Sequence, residues 1–459
     1  MPSPETDYYF RRFGFCQRQI AAPPSPDLGI VVVIPCFNEP DLIGSLESLR
    51  LCERPNCSVE VIVVVNSPAG CSEEIRSQNQ ATLKAATEWT LLRREAALSF
   101  HLLHFPDLAP KQAGVGLARK IGMDEALRRF DEVGRLEGII AGYDADCRCE
   151  PGYLSAIERH FEHHPQSPGC SIYFEHPLSG PSSPRVYEAV AAYELHLRYY
   201  VGALRYCGFP HAHQTLGSCM AVRSGVYRKQ GGMNKRKAGE DFYFLHKIIP
   251  LGGFTDLTET AVFPSARPSG RVPFGTGRAV RAFLQRAEMK SYPLEAFLDL
   301  QQLFDCLPRM YRDAATFEEA CAGHLPESIR SFLRRQRFAE VLKEIRGNTT
   351  SEAAFRRRFF QGFDGFLAMK FVHYARDCFY GDRKVEIESA KLLAKLAPSR
   401  TPDADLSLRE LLMRYRYLDR SGSGQGARDA TSRASPAPSR PKPRPRQAAL
   451  KSRRRCNRM

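Results

Sequence analysis

Two carboxylates stand one residue apart at the end of an apolar run in this 459-residue chain. The run reads GIIAGYDAD and contains Asp144 and Asp146. Side chains two residues apart on a strand point to the same face, so we expect these carboxylates to converge. Carboxylates held close together repel one another unless a cation or a shared proton lies between them. Mg²⁺ or Mn²⁺, which prefer oxygen ligands, would meet that need. The alternative is a solvated strand end in which aspartate forms a turn.

Apolar, β-branched runs come before this pair in the first third of the chain. They read GIVVVIP (29–35), VEVIVVV (59–65) and FHLLHF (100–105). Near-continuous Val and Ile indicates strands that are covered on both faces, as in a parallel sheet. Amphipathic segments alternate with these runs, which predicts an α/β fold with a mostly parallel, Rossmann-like sheet and helices on both faces. Ligands gather where the carboxyl ends of such strands meet, and the carboxylate pair lies at one of those ends.

The sequence pattern changes near residue 280. Amphipathic segments rich in phenylalanine continue to about residue 420, and we interpret their apolar faces as core, with a lipid-facing surface as the alternative. Residues 421–459 contain 11 Lys or Arg and one Asp, which is +10 of the net charge of +15. Their Pro, Ser and Gly content predicts a disordered basic tail. The predicted units are therefore an N-terminal extension (1–28), an α/β domain (29–280), a helical region (281–420) and the tail (421–459).

The composition argues against several classes of protein. No window approaches about 18 consecutive apolar residues, as a membrane-spanning helix requires, and the start MPSPETDYYFRRFGF has no apolar signal-peptide core. The 14 cysteines are scattered without CxxC units, which is typical of reduced thiols in a cytoplasmic protein. Because most of the positive charge lies in the tail, we expect no specific nucleic-acid partner and at most peripheral membrane contact.

Five segments occur in the order that characterises a known enzyme family. They read VVVIPCFNEPDLIGSLESL, AGVGLARKIGMDEAL, GIIAGYDAD, GSCMAVRSGVY and KAGEDFYFLHKI. Over residues 29–265 the chain resembles glycosyltransferase family two, which comprises nucleotide-sugar-dependent enzymes of the GT-A fold. The residues that match the family's P-x-[YF]-N-E opening, its DxD and its later acidic pair are Pro35, Phe37, Asn38, Glu39, Asp144, Asp146, Glu240 and Asp241.

The resemblance implies transfer of one sugar from a UDP- or GDP-linked donor to an acceptor hydroxyl. It implies Mg²⁺ or Mn²⁺ at Asp144 and Asp146, with Asp241 as the first candidate for the base and Glu240 as the second. The donor-binding residues that it implies are Pro35, Phe37, Glu39, Asn66, Arg119, Asp144 and Arg271. Since the chain reads VVNSPAG where the family often has D-D-G-S, the identity of the nucleotide base stays open.

Two of these basic residues have a second interpretation. Arg119 is expected to approach the ribose or pyrophosphate of the donor, or else to pair with an acid on a helix surface. Arg271 belongs to the cationic, glycine-containing segment ARPSGRVPFGTGR (266–278), which we interpret as a loop that closes over the diphosphate. The alternative for that segment is an interdomain linker.

Other readings of the whole chain also stay open. The Q-x-x-R-W motif of processive family members is missing and the single tryptophan is Trp89, so we expect transfer without processivity. The acceptor can be a lipid or a small molecule. A sugar nucleotidyltransferase, which would release pyrophosphate, and a non-catalytic scaffold that binds a nucleotide sugar are the alternative functions.

Overall fold

The computed structural model describes residues 3–93, 95–268, 275–312, 324–396 and 406–422. Arg271 and the predicted tail beyond residue 422 lie outside the described residues.

A sheet of eight strands forms the centre of the described α/β part of the chain, as predicted. Val, Ile and Leu fill its first two strands, in each of which one residue is half-buried and the rest are buried. The strands are β1 (Leu28–Cys36), β2 (Ser58–Pro68), β3 (Leu98–Leu108), β4 (Ile139–Gly142), β5 (Arg148–Cys149), β6 (Gly169–Phe174), β7 (Met220–Arg223) and β8 (Thr255–Phe263).

The order of the strands brings distant segments to one edge of the sheet. The order is β3-β2-β1-β4-β7-β6-β8-β5. Strands β1, β2, β3 and β4 run parallel to one another, and β6 runs parallel to β8. Strand β7 lies between β4 and β6 and runs antiparallel to both. The carboxyl ends of β1, β2, β4, β6 and β8 therefore lie on the same edge as the amino end of β7. The segments that leave these ends meet there.

Helices cover the sheet and continue beyond it. Those interleaved with the strands are α1 (Pro4–Phe13), α2 (Leu42–Arg50), α3 (Glu73–Leu92), α4 (Val115–Glu132), α5 (Tyr153–His163), α6 (Pro184–Tyr206), α7 (Ser224–Lys229) and α8 (Glu240–Leu245). Those that follow are α9 (Thr276–Arg286), α10 (Leu294–Asp305), α11 (Leu307–Arg312), α12 (Glu327–Arg335), α13 (Phe338–Gly347), α14 (Glu352–Gly362), α15 (Gly365–Ala375), α16 (Val385–Leu396) and α17 (Leu408–Arg420). Two short strands, β9 (Lys290–Ser291) and β10 (Arg383–Lys384), pair antiparallel among them.

Alternate residues of the central strands enter two different hydrophobic cores. Ile30, Val32 and Ile34 pack on one face with side chains of α2, α3 and α5. Val31 and Val33 pack on the other face with α4, α7 and α8. This alternation follows from strand geometry and explains why both sets of positions are apolar.

A third core joins α6 to the helices that follow residue 281. The phenylalanines in and around α14 that are at most 2% exposed are Phe355, Phe359, Phe360, Phe363 and Phe371. The interpretation of the Phe-rich stretch as core is thus confirmed at these positions. Among the described residues, no helix has both the length and the apolar character needed to cross a bilayer.

A buried ion-pair network holds α17 against α6. The Glu194 carboxylate accepts hydrogen bonds from Arg198 Nε at 2.9 Å and from Arg416 Nε and Nη2, both at 2.8 Å. It also accepts one from the backbone N–H of His176 at 2.7 Å. Burial would raise the pKa of Glu194, but the charges of Arg198, His176 and Arg416 outweigh it and hold the pKa well below its usual value. The network therefore depends on an ionised carboxylate that is fully satisfied.

Replacing Arg416 by methionine should lower the free energy of unfolding by about 3 kcal/mol, because Glu194 would keep its charge in the interior and lose one of its partners. Urea denaturation measures the change. Arg420→Met on the same helix is the matched control: Arg420 pairs with Glu150 at 2.8 Å but its side chain is 40% exposed. The control should lose about 1 kcal/mol or less, and equal losses for the two variants would contradict the assignment.

Candidate functional site

The carboxylates Asp144 and Asp146 lie in a turn that follows β4. The strand ends at Gly142, so the expectation that strand geometry aligns the pair is wrong. The turn, in which Cys147 N–H donates to the Asp144 carbonyl at 3.1 Å, brings the groups together instead. One oxygen of each carboxylate and the Cys147 sulfur lie within 4.8 Å of one another. Burial raises the pKa of the Cys147 thiol, which keeps it protonated and a poor ligand. The oxygen atoms are the better ligands here.

Arg119 is a buried cation at the centre of this acidic region. Its side chain, on α4, is 3% exposed. The guanidinium donates to Asp144 through Nη2, and through Nη1 to Glu240 Oε1 at 3.3 Å. Arg119 therefore pairs with two acids of the predicted site, not with an acid on a helix surface. Its expected contact with the donor stays a prediction.

Glycine at position 217 makes room for the Arg119 guanidinium. A Cβ atom added to Gly217 would lie 2.1 Å from Arg119 Nη1, well inside contact distance. Gly217 comes just before β7, at the edge of the sheet where β4 ends. The close approach of backbone to guanidinium thus requires the smallest residue at this point.

The acidic pair Glu240 and Asp241 begins helix α8. Asp241 accepts hydrogen bonds from the N–H groups of Gly217 at 2.9 Å and Phe242 at 2.7 Å. Burial raises the pKa of Glu240 to about 7 although Arg119 opposes it, and burial also raises the pKa of Asp241. A carboxylate with a raised pKa is a better proton acceptor near neutral pH.

Glu39 joins the site from the end of β1. It is 1% exposed, and one of its oxygens accepts the Asp41 N–H at 2.9 Å. Arg267, which follows β8, donates to Glu39 and lies 3.4 Å from Asp146 Oδ2. Arg271, the residue predicted from this basic segment to bind the donor, lies outside the described residues. Arg267, which belongs to the same segment, contacts two acids of the site.

The predicted nucleotide-binding positions Pro35, Phe37 and Asn66 lie at the ends of β1 and β2. Asn66 is 3% exposed, and its carbonyl accepts a hydrogen bond from Asn79 Nδ2 at 3.3 Å. Asn79, on α3, also accepts the N–H of Asn38 at 2.8 Å. Asn79 thus ties the two strand ends together. Sequence reasoning missed it, because a single asparagine within a helix carries no signal of its own.

Sequence reasoning also missed Tyr193, on which the charge of Asp241 acts, and its neighbour His176. Burial and the charge of Asp241 raise the pKa of Tyr193, on α6, to about 12. His176, just after β6, has its ring 6.4 Å from that of Tyr193 and places Nε2 3.1 Å from Thr276 Oγ1. No motif marks either residue, because Tyr193 is one tyrosine within a helix and His176 one histidine after a strand.

The structure therefore gathers most of the predicted site residues at one edge of the sheet. Arg119 pairs with Asp144 and Glu240, and Arg267 pairs with Glu39 and Asp146. Asp241 directly follows Glu240 and accepts the Gly217 N–H at the same edge. Pro35 and Asn66 lie at the same edge through β1 and β2. A cavity of about 520 Å³ lies at the opposite edge, beside Gly29 and Gly138, and contains none of these residues.

Replacing Gly217 by alanine should displace the Arg119 guanidinium and destabilise the fold by about 1–3 kcal/mol, the usual cost of overpacking. Thermal denaturation measures the change. Gly202→Ala on α6 is the control, because its Cβ would meet its nearest neighbours at 3.6 Å, an ordinary contact. If both variants melt at the wild-type temperature, the stability of the fold does not depend on the space that Gly217 leaves for Arg119.

The raised pKa of Glu240 predicts a pH-dependent contribution to stability. In the unfolded chain glutamate titrates at about pH 4.3, whereas the pKa of Glu240 in the folded protein is raised to about 7. Between these two pH values the native state binds more protons than the unfolded state, so its stability falls as pH rises. The melting temperature of Glu240→Gln, relative to that of the wild type, should therefore be higher at pH 8 than at pH 5, measured with EDTA present. Glu259→Gln, at a side chain 61% exposed, should show no such trend. A pH-independent difference for Glu240→Gln would rule out the raised pKa.

Of the comparisons with known proteins, the one with solved structures is the one that finds a similar protein. No protein-family model matches the chain, and no curated protein matches it significantly. The chain is similar to S. aureus TarS 1–349, at 14% identity and a TM-score of 0.37, over 73% of this chain and 91% of that one. It is also similar to TarS 1–349 in complex with UDP-GlcNAc (14% identity, TM-score 0.37, 88% and 92% covered) and with UDP (13%, 0.37, 89% and 92%). At these values we infer function from the geometry of the site itself.

Proposed function

We propose that this chain is a glycosyltransferase that moves one sugar from a nucleotide-diphosphate donor to an acceptor hydroxyl without processivity. The observation that carries the proposal is the convergence, at one sheet edge, of acids from three distant segments with two guanidinium groups between them. Such a site offers positive charge for a diphosphate leaving group and a carboxylate for the acceptor proton.

The donor would lie across the carboxyl ends of β1, β2 and β4. Pro35, Phe37 and Asn66 are the candidates for contact with the base and ribose, and the base can be uracil or guanine. Arg119 and Arg267 are the cations within reach of a diphosphate at Asp144 and Asp146. Each already pairs with carboxylates, so its orientation is set before the donor binds, which reduces the entropy that binding costs.

The carboxylate oxygens of Asp144 and Asp146 are suitable ligands for Mg²⁺ or Mn²⁺. Both groups are oxygen ligands, their side chains are 38% and 26% exposed, and they converge within 4.8 Å. When bound, such an ion would neutralise the charge that develops on the departing diphosphate. The two carboxylates would hold it, and Arg119 and Arg267 would orient them.

Asp241 is the candidate base that receives the proton of the acceptor hydroxyl. Its two oxygens are positioned by the N–H groups of Gly217 and Phe242, and its raised pKa favours proton uptake. Glu240, which pairs with Arg119, would act as a positioning residue for that cation. As the acceptor oxygen attacks the anomeric carbon, the bond to the diphosphate breaks and Asp241 takes the proton.

The metal role is tested with Asp146→Asn. The wild type should bind UDP or GDP more tightly in Mn²⁺ than in EDTA. In Mn²⁺ the variant should bind the nucleotide about tenfold more weakly than the wild type, a loss of about 1.4 kcal/mol, whereas in EDTA the two should bind alike. Isothermal titration calorimetry measures both. Asp41→Asn is the control, because this carboxylate, 58% exposed, lies in the same region and pairs with Arg148. Equal metal dependence in Asp146→Asn and in the wild type would exclude the role.

The base role is tested with Asp241→Asn. Turnover should fall by about 10²- to 10⁴-fold while donor affinity changes little, because a general base acts on the acceptor proton. Mass spectrometry of the glycosylated or hydrolysed product measures turnover. Asp27→Asn serves as control, because this exposed carboxylate comes just before β1 and so lies at the opposite edge of the sheet. Near-wild-type turnover of Asp241→Asn would show that another residue is the base.

The alternative function, a sugar nucleotidyltransferase, would be favoured by release of pyrophosphate from a sugar phosphate and a nucleoside triphosphate.

A further inference from the structure

Two thiol groups lie against each other beside the turn that carries Asp144 and Asp146. Cys52 comes two residues after the end of α2, and Cys149 ends β5, 97 positions further along the chain. Their sulfur atoms are 3.6 Å apart. Because a disulfide has a sulfur–sulfur distance of about 2.0 Å, the two atoms need to approach by about 1.6 Å to form one. Rotation of the two side chains can supply this movement.

Hydrogen bonds on both sides of the thiol pair hold the two chain segments together. On one side the Cys149 N–H donates to Ser48 Oγ at 2.9 Å. On the other side the Glu53 N–H donates to the Pro151 carbonyl at 2.8 Å. The backbones that carry the two sulfur atoms are thus fixed side by side. A disulfide at this place would join residues that the fold already holds as neighbours.

The two thiols differ in their access to solvent and in their acidity. Cys149 is half-buried on β5, the strand at the edge of the sheet, whereas Cys52 is 4% exposed. Hydrogen bonds to its sulfur from Cys52 and Ser48 lower the pKa of Cys149 although burial opposes them, and the contact with Cys149 raises the pKa of Cys52. Since the thiolate is the nucleophilic form of cysteine, Cys149 is the thiol that reacts first and Cys52 the one that follows.

We propose that Cys52 and Cys149 form a redox-sensitive pair that hydrogen peroxide converts into a reversible disulfide. In the first step the Cys149 thiolate attacks one peroxide oxygen, so that an S–O bond forms, the O–O bond breaks and the other oxygen leaves as hydroxide, which takes up a proton. In the second step Cys52 loses its proton and attacks the Cys149 sulfur, so that the S–S bond forms and the S–O bond breaks. The two thiols lose two electrons, and the peroxide is reduced to two molecules of water.

The disulfide would add a covalent bond to an existing contact between α2 and the turn. Ser45 Oγ, on α2, donates to the carbonyls of Ala145 at 2.7 Å and Cys147 at 2.8 Å. The bond would also close a loop of 97 positions, which removes conformational freedom from the unfolded chain. We therefore expect the oxidised protein to be the more stable form. The proposed transfer of a sugar uses neither thiol, so the two proposals are independent.

The test counts the thiols of the full-length chain before and after oxidation. The reduced protein has 14 cysteines, which dithionitrobenzoate titrates in urea. One molar equivalent of hydrogen peroxide should lower the count by two, and dithiothreitol should restore it. Mass spectrometry of a digest without reductant should find the peptides of Cys52 and Cys149 joined. The melting temperature of the oxidised protein should exceed that of the reduced protein by about 5 °C or more.

Serine variants identify the thiols that react. Cys149→Ser and Cys52→Ser should each lose the joined peptides and the rise in melting temperature. Cys378→Ser is the matched control, because Cys378 is an exposed thiol far along the chain in the helical region, and this variant should form the cross-link like the wild type. Melting temperatures of the reduced variants show that they are folded.

Several results would overturn the proposal. One is a thiol count that peroxide leaves unchanged. Another is a digest in which Cys52 and Cys149 stay unlinked while other thiols are oxidised, or in which Cys149 is oxidised to a sulfinic acid without joining Cys52. A rise in melting temperature that is equal in the wild type and in Cys149→Ser would assign the stabilisation to another reaction. Affinity for UDP or GDP enters none of these measurements, so failure here leaves the proposed function untouched.

Discussion

The site is organised around one buried cation, Arg119. Asp144, Glu240 and Asp241 come from segments far apart in the chain, and three carboxylates at one place would repel one another without a positive charge among them. The guanidinium pairs with Asp144 and Glu240 at once, and Gly217 leaves the space that it needs. Removing either acid would leave a buried charge under-compensated, so the cation and the acids stabilise one another.

The helical region contributes to the candidate site through polar contacts with α6. Arg416 of α17 holds Glu194, which in turn holds the backbone and ring of His176 beside Tyr193. The helices after residue 281 thus fix the position of α6.

The pairing of the acids also constrains the chemistry proposed. Asp144 and Asp146 each contact a guanidinium group, so an ion bound there would share its ligands with Arg119 and Arg267. Shared ligands hold the cations and a diphosphate in one electrostatic network, in which a change at any member alters the others. Glu240, buried and paired with Arg119, belongs to the support of this network, whereas Asp241 is held by the N–H groups of Gly217 and Phe242.

The sequence by itself determined the α/β class, the approximate strands, the helical region and the acids of the site, because periodicity, strand ends and residue type are local signals. It placed Asp144 and Asp146 on a strand, although a turn holds them. It also selected Arg271, outside the described residues, where Arg267 makes the contacts. Only the tertiary structure decided the partners of Arg119 and the contacts of Asn79 and His176. These depend on which faces of α3, α4 and α6 meet the sheet edge, and such long-range packing leaves no local pattern in the chain.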